Sequence, residues 1–131
     1  MVFNEQTKFG KQGNCLAACV SSLMGLPIEE VPNVETLFDI EEVKTFQDEN
    51  PPLWGIVLDT FIRSKGFIWR EATEEEKINP PKDKVFLCIG KGLDGITNHA
   101  TLYQNGNLLF DPNPYRKGLS QIISLQVIEK V

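Results

Sequence analysis

Cysteine and histidine are both scarce in this chain: its 131 residues hold three cysteines and one histidine. An odd number of thiols, with Cys15 and Cys19 four positions apart, argues against a disulfide framework and predicts free thiols in a reducing compartment. Long apolar runs are missing too. No stretch supplies the roughly 20 apolar residues that a membrane-spanning helix needs, and the opening MVFNEQTKFGKQGN lacks the basic-then-apolar order of a signal peptide. A cytoplasmic protein without a membrane partner is the expectation. Positive charge is in deficit as well, with 13 Lys and Arg against 18 Asp and Glu, a formal charge of -5. Nucleic-acid binding draws on clustered Lys and Arg, and no such cluster is present, so a DNA or RNA partner is not expected. Internal repeats and low-complexity tracts are absent.

The residues present have the composition of an ordinary globular protein, 41% hydrophobic and 24% charged, in a length that suits one domain over residues 1–131. The segment NCLAACVSSLMGL has apolar Leu16, Cys19, Val20, Leu23 and Met24 at helical spacing, with Asn14 as the expected cap and Gly25 as the stop. Pro27 and Pro32 punctuate the chain after this helix. An amphipathic stretch with Val34, Leu37, Phe38, Val43 and Phe46 then predicts a second helix ending before Pro51, and PLWGIVLDTFIRSKG predicts a third, capped at Gly66. Past Gly66 the period changes to short β-prone runs: FIW, VFLCIG, TNHATLY, NLLF and QIISLQVI. Between the first two, the acidic and proline-rich segment 71–84 is expected to be a mobile loop. Helices first and strands later predict an α+β domain, with N-terminal helices packed on a C-terminal antiparallel sheet. Trp54 and Trp69 are expected in the core.

The reactive form of cysteine is the thiolate, and a helix N-terminus stabilises it through free backbone N–H groups. Cys15 stands at that position. Cys19, one turn deeper among apolar residues, is expected to be buried and inert. A second segment, TNHATLYQNGNLLFDPNP, carries His99 and, after the next strand, Asp111. A neutral imidazole can accept a thiol proton and later protonate a leaving group, while a carboxylate on its other nitrogen fixes the tautomer. Each residue also has an ordinary reading: packing for Cys15, a satisfied core histidine for His99, a turn cap before proline for Asp111. Cys15, Cys19, Cys88 and His99 contain zinc-ligand types, but not the close Cys-x-x-Cys knuckle of a structural zinc site, so neither a metal nor a cofactor is expected. Tyr115 and Arg116 read as a solvated loop that can also line a substrate entrance.

QGNCLAACVSSLMGLPIEEVPNV together with NHATLYQNGNLLFDPNPYRKGL resembles the papain-like cysteine peptidase superfamily, closest to bacteriocin-leader-processing peptidases and small phage and bacterial relatives. The resemblance covers roughly residues 6–34 and 97–119. It implies Cys15 as nucleophile, His99 as base and acid, and Asp111 as the orienting residue. It also implies an oxyanion-binding glutamine before the cysteine. Gln6 lies nine residues before Cys15 and Gln12 only three, too close to loop back beside the same thiol, so Gln6 is preferred.

The expected activity is a thiol hydrolase or acyltransferase acting on a peptide, protein or other amide or ester substrate. The alternative is a noncatalytic binding module of the same scaffold engaging a basic host partner.

One geometric expectation is sharp. A two-residue turn at Asn105-Gly106 pairs Gln104 with Asn107 and sends Asp111 to the face opposite His99. A three-residue loop over residues 104–106 pairs Tyr103 with Asn107 and sets Asp111 directly across from His99. The three-residue loop is the expectation.

Overall fold

The computed structural model describes residues 2–9, 13–34, 53–93, 98–115 and 118–131. The architecture is α+β, a five-stranded antiparallel sheet with helices packed on it. Helix α1 (Cys15–Met24) is followed by a single 3-10 turn at Ile28–Glu30 and by α2 (Leu53–Ser64). Strand β1 (Phe67–Glu71), a short helix α3 (Glu74–Ile78), and strands β2 (Val85–Lys91), β3 (Asn98–Gln104), β4 (Asn107–Phe110) and β5 (Gln121–Lys130) are the other elements among the described residues. The order across the sheet is β1-β5-β2-β3-β4. The last strand therefore inserts between the first and second. No helix among the described residues is long and apolar enough to cross a membrane.

Strand alternation divides the apolar residues between the two faces. Leu87, Ala100, Leu102 and Ile128 point to one face and form the main core with Leu16, Cys19 and Val20 of α1 and Leu58 and Ile62 of α2. Trp69 joins this core, its ring 6.4 Å from that of half-buried Trp54, and its indole N–H donates to Gln126 Oε1 at 2.7 Å. On the other face Phe86 and Val127 form a smaller cluster with Ala72. The second helix expected from the sequence lies, apart from buried Val34, outside the described residues.

Segment 71–84 is not simply a loop. Thr73 and Glu76 form a reciprocal capping box that starts α3, and Arg70 holds Glu76 through two nitrogens at 2.7 and 3.2 Å. Lys84 pairs with the second Glu76 oxygen at 3.0 Å and with Glu129 at 3.2 Å, while Arg70 also reaches Glu129 at 3.1 Å. Two cations and two carboxylates thus fasten the segment to β1 and β5. Arg70 and Lys84 hold the Glu76 carboxyl far below its ordinary range, with the Arg70 hydrogen bond contributing most.

Candidate active site

The N-terminal residues form no regular element, yet they lie as a strap between α1 and the end of β4. On the helix side, the Asn4 backbone N–H donates to Ser22 Oγ at 2.8 Å, and its side-chain amide donates to Ser21 Oγ and Leu26 O, both at 2.9 Å. Further along, Asn14 Oδ1 accepts from the N–H groups of Thr7 and Lys8 at 2.9 Å each, and Asn14 Nδ2 donates to Thr7 Oγ1 at 2.8 Å. Asn14 does occupy the cap position of α1, but its side chain caps nothing. The expected helix cap is instead a clamp on the strap. The competing donors at Thr7 and Lys8 take the oxygen that the helix N–H groups would otherwise use.

This clamp decides where Gln6 goes. The Gln6 N–H donates to Pro112 O at 2.9 Å, and its side-chain Nε2 donates to Lys8 O at 2.9 Å. The same Lys8 carbonyl accepts the N–H of Asn14 at 3.2 Å. Gln6 is buried and held between Pro112, which follows Asp111, and the residue that precedes Cys15. Its nine-residue separation from Cys15 in sequence is taken up by this folded strap. Only an N–H can face the Lys8 carbonyl, which assigns Nε2 to that side and leaves the amide its second N–H. Gln12 lies outside the described residues.

At the same corner, His99 Nε2 lies 2.7 Å from Asp111 Oδ1. The Asp111 side chain is fully buried, and the His99 ring is 10% exposed. Asp111 Oδ1 also accepts the N–H of Asn113 at 2.8 Å, and Oδ2 accepts the N–H of Gly118 at 2.6 Å. Three donors on two oxygens satisfy a buried carboxylate as an anion. With an acceptor-only partner on Nε2, the neutral ring carries its proton there. Nδ1 then has the lone pair.

The turn that delivers Asp111 is not the expected one. Gln104 pairs with Asn107, and Asn105 and Gly106 take φ values of 52° and 77°, the two positive values of a two-residue type I′ turn. The three-residue loop is therefore incorrect. Tyr103 faces Leu108, but the next pair is Leu102 with Phe110, so Leu109 is an extra residue in β4. A bulge flips the side chains that follow it, as a longer loop does. Carried one step further, this register puts Asp111 across from Thr101, on the face of His99 and one diagonal step away.

Two glycines hold this corner. Gly90 pairs directly with His99, and a Cβ there would lie 1.9 Å from the Gln121 carbonyl oxygen, at the point where β5 shifts register against β2. Gly118 sits at φ 110°, which a side chain rarely tolerates, and its N–H closes the loop onto Asp111. Neither glycine stands out in the sequence, because close approach and turn closure are tertiary.

Cys15 opens α1 and is buried in the main core cluster with Ala100, the residue after His99. Helix α1 packs against β3, the strand that carries His99. Cys19 is fully buried in α1. Cys88, also fully buried, has its thiol pushed up to about 12 by burial, so it is a poor nucleophile. Tyr115, in the loop after Asp111, is largely exposed, and Arg116 lies outside the described residues. Among the described residues no three His, Cys, Asp or Glu side chains gather as a metal site. Asn113, Gly90 and Gly118 are positioning residues that sequence reasoning missed, while Asn14, expected as a cap, serves as the clamp. Set beside known proteins, the chain matches no family model, no curated protein and no solved structure.

Proposed function

We propose that the protein is a thiol hydrolase of the papain-like kind, acting on an amide or ester carbonyl through a thioester on Cys15. His99 Nδ1 takes the Cys15 proton as Sγ bonds to the carbonyl carbon and the π electron pair moves to oxygen. The Gln6 side-chain N–H and backbone N–H groups of the first turn of α1 stabilise that oxyanion. Collapse breaks the bond to the leaving amine or alkoxide, which departs with the proton held on Nδ1. Water then attacks the thioester, gives its proton to Nδ1, and releases the acid as the C–S bond breaks and the thiol is restored.

The observation that carries this reading is the 2.7 Å contact from His99 Nε2 to a buried carboxylate whose two oxygens are each fixed by a backbone N–H. That arrangement orients one ring nitrogen and supports proton transfer at the other. Alternation along β3 directs Ala100 and Leu102 to the α1 side and His99 to the other. On this reading the imidazole reaches the thiol around the end of the strand, where His99 is the second residue.

The test is a screen of amide and ester probes with intact-mass detection. A wild-type adduct of acyl mass that is absent from Cys15→Ala and accumulates when product formation is slow supports the reading. Turnover that survives Cys15→Ala contradicts it.

A further inference from the structure

The strap meets the end of β4 and the segment after it at three points. Phe3 stacks on Phe110 with ring centroids 4.8 Å apart, Gln6 bonds to Pro112, and Phe9 packs against Tyr115 at 5.6 Å with 50° between the ring planes. The first two contacts are tied into the fold, since Phe110 packs on the main core and Gln6 is buried. The third is open to water, with Phe9 48% and Tyr115 81% exposed.

Exposed paired rings are a large apolar surface of low side-chain entropy, the kind that recognition sites use. Both rings are set by the groups that set the proposed site. Phe9 follows Lys8, whose carbonyl anchors Gln6 and Asn14. The Tyr115 N–H donates to Asn113 Oδ1 at 2.9 Å, and the Asn113 N–H donates to Asp111. One ring is thus a peptide away from the anchor of the strap, and the other is two hydrogen bonds from the acid. The residues adjoining them in sequence, 8–11 and 113–117, carry Lys8, Lys11, Arg116 and Lys117 and no carboxylate, a local charge that disfavours a basic side chain.

We propose that the Phe9 and Tyr115 rings form the specificity surface of this site and receive a large apolar or aromatic side chain on the acyl side of the bond to be cleaved. The inference rests on the thiol-hydrolase reading and adds a substrate class to it.

Four acyloxymethyl ketones, identical except for Phe, Leu, Ala or Lys next to the ketone, test it. In each, the thiolate bonds to the methylene carbon and expels a carboxylate, and the rate of Cys15 labelling is read by peptide mass. The full-length wild type should label about 10-fold faster or more with the Phe and Leu probes than with the Ala probe, and slowest with the Lys probe. In Phe9→Ala and Tyr115→Ala the ratio of Phe to Ala rates should fall below about 3-fold, a ratio that cancels any change in thiol reactivity within each variant. Iodoacetamide labels the wild type in parallel. Cys15 that reacts selectively with iodoacetamide but shows equal probe rates, or a ratio unchanged in both variants, overturns the ring surface and leaves the hydrolase reading standing. Iodoacetamide labelling of Cys15 no faster than of Cys88 overturns both.

Discussion

Two polar clusters sit at opposite ends of the sheet, and they are satisfied in different ways. Around Arg70 and Lys84 each cation meets the two carboxylates Glu76 and Glu129, and the cluster fastens α3 to β1 and β5. Its charges cancel pairwise. Around Asp111 the carboxylate is fully buried and accepts two backbone N–H groups and one ring nitrogen, which leaves the imidazole a second nitrogen for chemistry. A cluster that saturates itself holds a fold together, whereas the proposed function gives the Nδ1 lone pair of the other the task of transferring a proton.

The sharpest way to break this contrast is to remove one member from each cluster and compare turnover of an ester probe. Cys15→Ala and His99→Ala should each lower turnover by about 10³-fold or more, and the double variant should be little worse than either, because the two act as a unit. Arg70→Met should leave turnover within about 3-fold. A large loss in Arg70→Met would mean that the two ends are not separable.

Asp111→Asn probes the saturated side of the active cluster. Asparagine offers one acceptor oxygen where three donors converge on two, so a buried N–H loses its partner or the ring loses its hold. Turnover should fall by about 10- to 1,000-fold and stability by about 1–3 kcal/mol, checked by kinetics and by urea unfolding of the same preparation. Gly90→Ala perturbs the corner without touching a polar group. With a Cβ aimed at the Gln121 backbone at 1.9 Å, it should lower stability by about 1–3 kcal/mol. Unchanged unfolding would refute the close approach.

The smallest effect belongs to the other cluster and depends on pH. The Glu76 carboxyl is held low in the folded protein, so its contribution is present above its unfolded value of about 4.3 and is lost as pH falls. Glu76→Gln should therefore melt a few degrees below wild type at pH 7, on the order of 1 kcal/mol for a cluster whose Arg70 is a third exposed. The gap should begin to narrow below about pH 4 and close only as pH falls further, toward the low folded value. A gap that widens in acid would reverse the sign of the linkage.

Much of this architecture is legible in residue order. The change from helical to alternating period after Gly66 predicts the sheet, and all five β-prone runs form strands. The pairing of His99 with Asp111 is legible too, but it is reached by a different route from the three-residue loop. Asn105-Gly106 carries a two-residue turn signal and makes that turn; the compensating bulge at Leu109 has no local signal and is set by where Asp111 finds its backbone donors. Helix α3 does have a signal, since Thr73 and Glu76 form the capping-box spacing, but the surrounding acids and prolines obscure it. Asn14 shows the limit from the other side. Its position at the helix start is legible, while the use of its amide depends on a strap that only the folded chain brings near.

The most direct test of Cys15 and His99 as a working pair is the pH dependence of limiting iodoacetamide labelling, read site by site by peptide mapping in wild type and His99→Ala. Cys15 should label selectively below pH 7 in the wild type, with Cys19 and Cys88 lagging, and its advantage should collapse by about 10-fold or more in His99→Ala. Equal labelling of the three thiols, Cys15 labelling only above pH 8, or an identical profile in His99→Ala would contradict a catalytic pair.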